Sequence, residues 1–262
     1  MSNKRIYLSL SLILLLSLGF IAFGNIQPIK EFFGNRTDKV DSPGKKDPVQ
    51  EALIREFQEL LGQFDTTHKN YSMTATFSAL DKTDPEHALN DIPYAFHRHD
   101  NDFYFRFGGT ETLNTGSASV YVDHNAKTIV VGQPKRVVQP GMLPFNELYE
   151  VLRSEEYVLA KSERTENGLS VLTMKNETHL SCKEMQLHYE PVNRTVKIIT
   201  VRIPDISDHL DETKEKNIIL HIRSYRKIDD KPLPASLDKF VQNVNGEWKQ
   251  GTEFKNYELI LE

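Results

Sequence analysis

His97-Arg98-His99-Asp100 is the string in this sequence whose residue types come nearest to metal chemistry. Two histidines one residue apart on a strand project from the same face, and imidazoles so placed can share a divalent ion. No third ligand stands at a diagnostic spacing, although His68, His87 and His124 occur elsewhere. The string is therefore read as a solvated strand end, with no metal site expected. Asp81, Asp84, Glu86 and Asp91 form an acidic loop that lacks the glycine and terminal glutamate of a calcium loop, and Pro85 interrupts it. Nucleophile elbows, phosphate loops, dinucleotide glycine fingerprints and His-Glu-x-x-His are all absent. Cys182 has only Lys183 as a charged neighbour, and adjacent side chains on a strand point apart, so an inert thiol is expected. The expectation is a protein without catalytic residues or cofactor, not an enzyme.

What remains is apolar. Phe103, Phe105 and Phe107 alternate with Tyr104 and Arg106, so the three phenylalanines share one strand face. Tyr94 and Phe96 sit with Arg98 on one side of the preceding run, and Met73 and Phe77 share a face with Tyr71 in the run before that. Two readings stay open for Met73, Phe77, Tyr94, Phe96, Phe103, Phe105 and Phe107: ordinary sheet core, or the lining of a hydrophobic cavity. Withdrawing one sixteen-carbon chain from a membrane costs about 12 kcal/mol at about 0.8 kcal/mol per CH2, so a lipid carrier needs many such side chains around one space.

The elements that must position these residues read as mainly β, within an α+β class. Asp47 caps a helix opened by Pro48, and Leu53, Ile54, Phe57, Leu60, Leu61 and Phe64 form its apolar stripe. About ten strands with period two follow, interrupted by a short inserted helix over Pro144 to Ser154. Val120 and Val122 are expected to pair with Ile129 and Val131, and Asn245-Gly246 signals a hairpin. The glycine-rich FGGTETLNTGS is read as a loop at a sheet rim. Successive hairpins at this spacing give a curved antiparallel sheet or unclosed β-barrel. With so few helices, its concave side is covered by a lid or by a guest.

The chain opens with Lys4 and Arg5 followed by an uncharged apolar run from Ile6 to Phe23. Residues 1–24 are thus a signal peptide or an N-terminal membrane anchor, and the remainder is expected outside the cytoplasm, in the periplasm or cell envelope, tethered to the inner membrane if the segment is retained. Residues 25–47 read as a flexible linker and 48–262 as the exported domain. The whole chain carries 32 basic and 37 acidic residues, a net charge of −5, with no basic block, which argues against nucleic acid as a partner. One cysteine excludes an intrachain disulfide, so the domain must stand on its hydrophobic core.

NDFYFRFGGTETLNTG, the hairpin ASVYVDHNAKTIVVGQPK, then MQLHYEPVNRTVKIITVRI and the closing FKNYELIL resemble the LolA/LolB-like lipoprotein-carrier superfamily of bacterial envelopes over Pro48 to Glu262. The resemblance implies an unclosed barrel with a helical lid over a cavity that receives acyl chains. Its implied ligand is a lipid or an acylated protein, with lipid or lipoprotein trafficking as the role and an envelope protein as a further partner. The other reading of the same residues is a membrane-tethered interaction or assembly module with a fully packed core.

Overall fold

The computed structural model describes residues 47–64, 70–135, 155–163, 167–205, 207–228 and 233–262. The leader or anchor at 6–23, nearly all of the linker and the expected helix at Pro144 to Ser154 lie outside these residues. Among those described, no helix is long and apolar enough to cross a membrane. The protein is mainly β, and the described residues form two compact units, the first drawing on those within 47–64, 81–85 and 155–218, the second on those within 70–80, 86–135 and 219–262.

In the first unit, helix α1 (Pro48–Leu61) begins where the sequence signals it, with the Asp47 side chain accepting from Val49 N at 2.9 Å and Pro48 in the first turn. Ile54, Phe57 and Leu60 are buried along its stripe, followed by Phe64 in a short 3-10 turn. An antiparallel meander completes the unit: β7 (Val158–Ser162), β8 (Ser170–Lys175), β9 (Glu184–Tyr189) and β10 (Val196–Ile203). Leu172, Leu187 and Ile199 align across three of these strands as a buried row. Helix α1 lies on β7, where the Gln50 side chain both donates to Leu159 O and accepts from Leu159 N, each at 2.9 Å. A terminal strand of a sheet leaves such groups without a ladder partner, and Gln50 satisfies them.

The second unit holds β1 (Asn70–Asp81), β2 (Leu89–His99), β3 (Asp102–Phe107), β4 (Thr110–Asn114), β5 (Ser119–Asp123), β6 (Thr128–Gly132), most of β11 (Lys216–Lys227) and β14 (Glu258–Leu261). They hydrogen-bond in the order β14-β6-β5-β4-β3-β2-β1-β11. Val120 pairs with Val131 and Val122 with Ile129, as expected. Between Phe77↔Ile92 and Ala79↔Leu89 the register shifts by one extra residue on β2, where Asp91 sits at φ +51. Helix α2 (Leu237–Phe240) and a hairpin of β12 (Val241–Val244) with β13 (Glu247–Gln250) complete the unit, and the hairpin turns on Asn245 and Gly246, both at positive φ.

Three expectations are corrected. Among the described residues the strands number twelve in the two units' ladders, plus the β12–β13 pair, which exceeds about ten. FGGTETLNTGS is not a loop, because Gly108 at φ +54 with Gly109 makes a two-residue turn and Thr110–Asn114 pairs on both sides as β4. Neighbour strands, not local propensity, make Thr-Glu-Thr-Leu-Asn extended. The set is also mixed, not antiparallel throughout: β14 runs parallel to β6, with Ile260 opposite Val130. That return is fixed by burial. Tyr104, Leu113, Val120, Val122, Ile129 and Val131 form one face of β3–β6, and Phe240, Val241 and Phe254 cover it.

Candidate functional site

The opposite face of the second unit carries the expected aromatic residues. Paired residues of an antiparallel ladder share a face, so registers set the rows: Tyr71, Arg98 and Phe103; then Met73, Phe96 and Phe105; then Ala75, Tyr94 and Phe107; then Phe77 and Ile92. All seven expected residues therefore lie on one surface. Six residues separate the first row from the last along β1, a strip about 20 Å long at about 3.4 Å per residue.

Met73, Phe77, Tyr94, Phe96 and Phe103 are buried, with Phe77 at 0% and Phe96 at 1% exposure, whereas Phe105 and Phe107 are half-buried. The rings contact one another in series. Phe77 meets Phe107 edge-on at 5.5 Å and Tyr94 meets Phe105 edge-on at 5.7 Å, while Phe96 stacks with Phe103 at 6.0 Å. Such contacts are favoured by the ring quadrupole. Beyond Phe105 the row continues through Thr112 to Tyr121, Val130 and Ile260, where Tyr121 and Ile260 are exposed. One end of this face is thus packed aromatic and the other is open and partly apolar.

At the packed end stand two polar groups that the expected set did not include. Arg98 and Tyr71 are directly paired and each is 2% exposed. Arg98 Nε donates to Asp100 O at 2.8 Å. Burial pushes the Tyr71 phenol above its usual pKa range, the Arg98 charge opposing this only in part, so the phenol keeps its proton. Neither Tyr71 Oη nor Arg98 Nη1 has a hydrogen-bond partner among the described residues. Period two already places both with the aromatic set; what it does not reveal is that they are buried and unsatisfied.

The other constellations resolve into structural roles. His97 lies on the opposite face of β2, with Nδ1 2.8 Å from Ser72 Oγ, and burial followed by the Arg226 charge lowers its pKa. Among the described residues, no group of three or more His, Cys, Asp and Glu is gathered as a metal site would need. Burial pushes the Cys182 thiol up to about 12, which matches an inert thiol. Glu111, on the Val122 side of β4, accepts from Tyr104 Oη at 2.7 Å and lies 2.8 Å from His124 Nε2, while His124 Nδ1 is 2.9 Å from Tyr257 Oη. In the first unit the buried Glu215 gathers Lys183 Nζ at 2.9 Å, Lys82 Nζ at 3.1 Å and Arg202 Nη1 at 3.1 Å.

No protein-family model and no curated protein matches the chain. Similar solved structures include an uncharacterized conserved protein from Thermus thermophilus, 12% identical over 79% of this chain and 99% of that one, with a TM-score of 0.37. A DUF1329 family protein from Desulfovibrio piger is 8% identical over 70% of this chain and 94% of that one, with a TM-score of 0.29. A putative outer membrane lipoprotein-sorting protein domain from Vibrio parahaemolyticus is 10% identical over 68% of this chain and 93% of that one, with a TM-score of 0.27.

Proposed function

We propose that the protein is a non-enzymatic, exported envelope protein whose second unit binds a lipid or a lipoprotein acyl chain on the aromatic face of β1–β3. The observation that carries this reading is the half-burial of Phe105 and Phe107 beside the buried Met73, Phe77, Tyr94, Phe96 and Phe103 on one surface. An apolar guest laid there removes further aromatic area from water at about 25 cal/mol per Å2. The strip of about 20 Å exceeds the roughly 15 Å of one leaflet of a bilayer's 30 Å hydrocarbon core, so it can cover an acyl chain. Export follows from the apolar run Ile6 to Phe23. Trafficking of lipid or lipoprotein is the role such binding serves.

The near-complete burial of Phe77 and Phe96 favours a second reading, a tethered interaction or assembly module whose face is filled by its own side chains. Uptake of a fluorescent fatty acid by the wild-type chain and by Phe105→Ala/Phe107→Ala separates the two. Under ligand binding the variant loses uptake; under the packed-core reading no chain takes up the probe, and the variant only melts earlier.

A further inference from the structure

At the Tyr71–Arg98 end of the aromatic strip, one guanidinium nitrogen, Arg98 Nη1, and the Tyr71 hydroxyl are buried without a hydrogen-bond partner among the described residues. Buried polar groups are almost always hydrogen-bonded, because leaving one unpaired forfeits its hydration without return. A guanidinium is charged at all physiological pH and donates only, and the Tyr71 phenol, held protonated by its burial, has its hydrogen to give. Two donors at one end of an apolar strip, with no acceptor among the described residues for Arg98 Nη1 or Tyr71 Oη, define a complementary group. That group offers oxygen lone pairs, and negative charge strengthens it by opposing the buried Arg98 charge.

Resting on the reading of this face as a hydrophobic ligand site, we propose that its ligand is an anionic amphiphile. Its head oxygens accept from Arg98 Nη1 and Tyr71 Oη, and its chain runs from the Phe103 row past Phe96 and Phe105 toward Tyr94 and Phe107. The register supports the direction. Arg98 and Tyr71 share the end row with Phe103, and on β1–β3 every position of the rows beyond it up to Phe77 and Ile92 is aromatic or aliphatic on this face. A chain entering head-first toward Arg98 meets chiefly carbon until its head reaches the two donors. The chemistry of the head is an oxyanion, either a carboxylate or a phosphate monoester. A hydroxyl head of equal chain length supplies neither charge nor a second strong acceptor.

The test titrates the full chain, held in amphipol, with hexadecanoate, hexadecyl phosphate and hexadecan-1-ol at neutral pH, and repeats each titration on Arg98→Met and Tyr71→Phe. Wild type is expected to bind at least one anion about ten- to a hundred-fold more tightly than the alcohol, the range of a charge-assisted hydrogen bond. The tighter of the two anions identifies carboxylate or phosphate as the source. Arg98→Met abolishes the preference while keeping alcohol binding, and Tyr71→Phe, which removes one oxygen and leaves the ring, reduces anion affinity several-fold and spares the alcohol. If Arg98→Met does not fold, Tyr71→Phe decides alone. Equal affinity for all three probes in wild type, or a preference that survives both variants, overturns the anionic head while leaving hydrophobic binding intact. Failure to bind any probe overturns the hydrophobic site itself and the head-group assignment with it.

Discussion

His124 Nε2 lies 2.8 Å from Glu111 Oε1, so the turn between β5 and β6 is fastened to the start of β4 by an imidazole–carboxylate pair. The same imidazole reaches Tyr257 Oη at 2.9 Å, just ahead of β14, and Tyr257 N donates to Phe254 O. Facing a carboxylate, Nε2 is the N–H donor, and Nδ1 makes the hydrogen bond with the Tyr257 hydroxyl. The network holds the C-terminal return against the core face of the second unit.

Glu111 makes stability pH-dependent. Burial alone would raise its pKa, but hydrogen bonds from Tyr104 and His124 and the Lys239 charge outweigh it and hold the carboxyl below the ordinary 4.5. A depressed folded-state pKa stabilises the fold above the unfolded value, and that contribution is lost as pH falls below about 4.5 toward the folded value. Urea unfolding between pH 7 and pH 3 should show this loss in wild type and a flatter profile in Glu111→Gln. The same variant should cost about 1–3 kcal/mol at pH 7.

Glu215 should be among the most sensitive polar positions of the first unit. Its side chain and that of Lys183 are almost wholly buried, and the pair is 2.9 Å apart. Glu215→Ala leaves the Lys183 ammonium uncompensated and should cost about 3–5 kcal/mol. Arg202 retains Glu177 and Glu184 as partners. Replacing both members, Lys183→Met with Glu215→Leu, should recover most of the loss in chemical denaturation, because no isolated buried charge remains.

Gln50 is expected to protect β7 from local opening. Its amide satisfies both backbone groups of Leu159. Gln50→Ala should lower stability by about 1 kcal/mol and speed hydrogen exchange at the Leu159 amide more than at the ladder-bonded amides of β8. Equal exchange in both proteins would contradict the bracket.

The legible parts of this protein were local. Asp47, Pro48 and the spacing of Ile54, Phe57 and Leu60 announce α1, and alternation assigns Phe103, Phe105 and Phe107 to one face before any pairing is known. What alternation cannot say is what covers a face. Val120 and Val122 read like the phenylalanines, yet they belong to the opposite surface, which Phe240 and Phe254 cover. Thr110–Asn114 became a strand through its neighbours, and β14 became parallel through a return anchored by residues far away in sequence. His124 and Tyr257 stand 133 positions apart, and no spacing rule joins them to each other or to Glu111. Alternation puts Arg98 and Tyr71 on the aromatic face; that Arg98 Nη1 and Tyr71 Oη lack partners among the described residues is visible only in three dimensions.

The most direct measurement is the titration of the full wild-type chain with a fluorescent fatty acid, beside Phe105→Ala/Phe107→Ala, with thermal melts of both. Ligand binding on this face predicts saturable uptake of one probe per chain in wild type. It also predicts uptake lost in the variant at temperatures where both remain folded, because the two rings are only half-buried. No uptake by wild type, or uptake unchanged in the variant, would contradict it and leave the aromatic face as packed core.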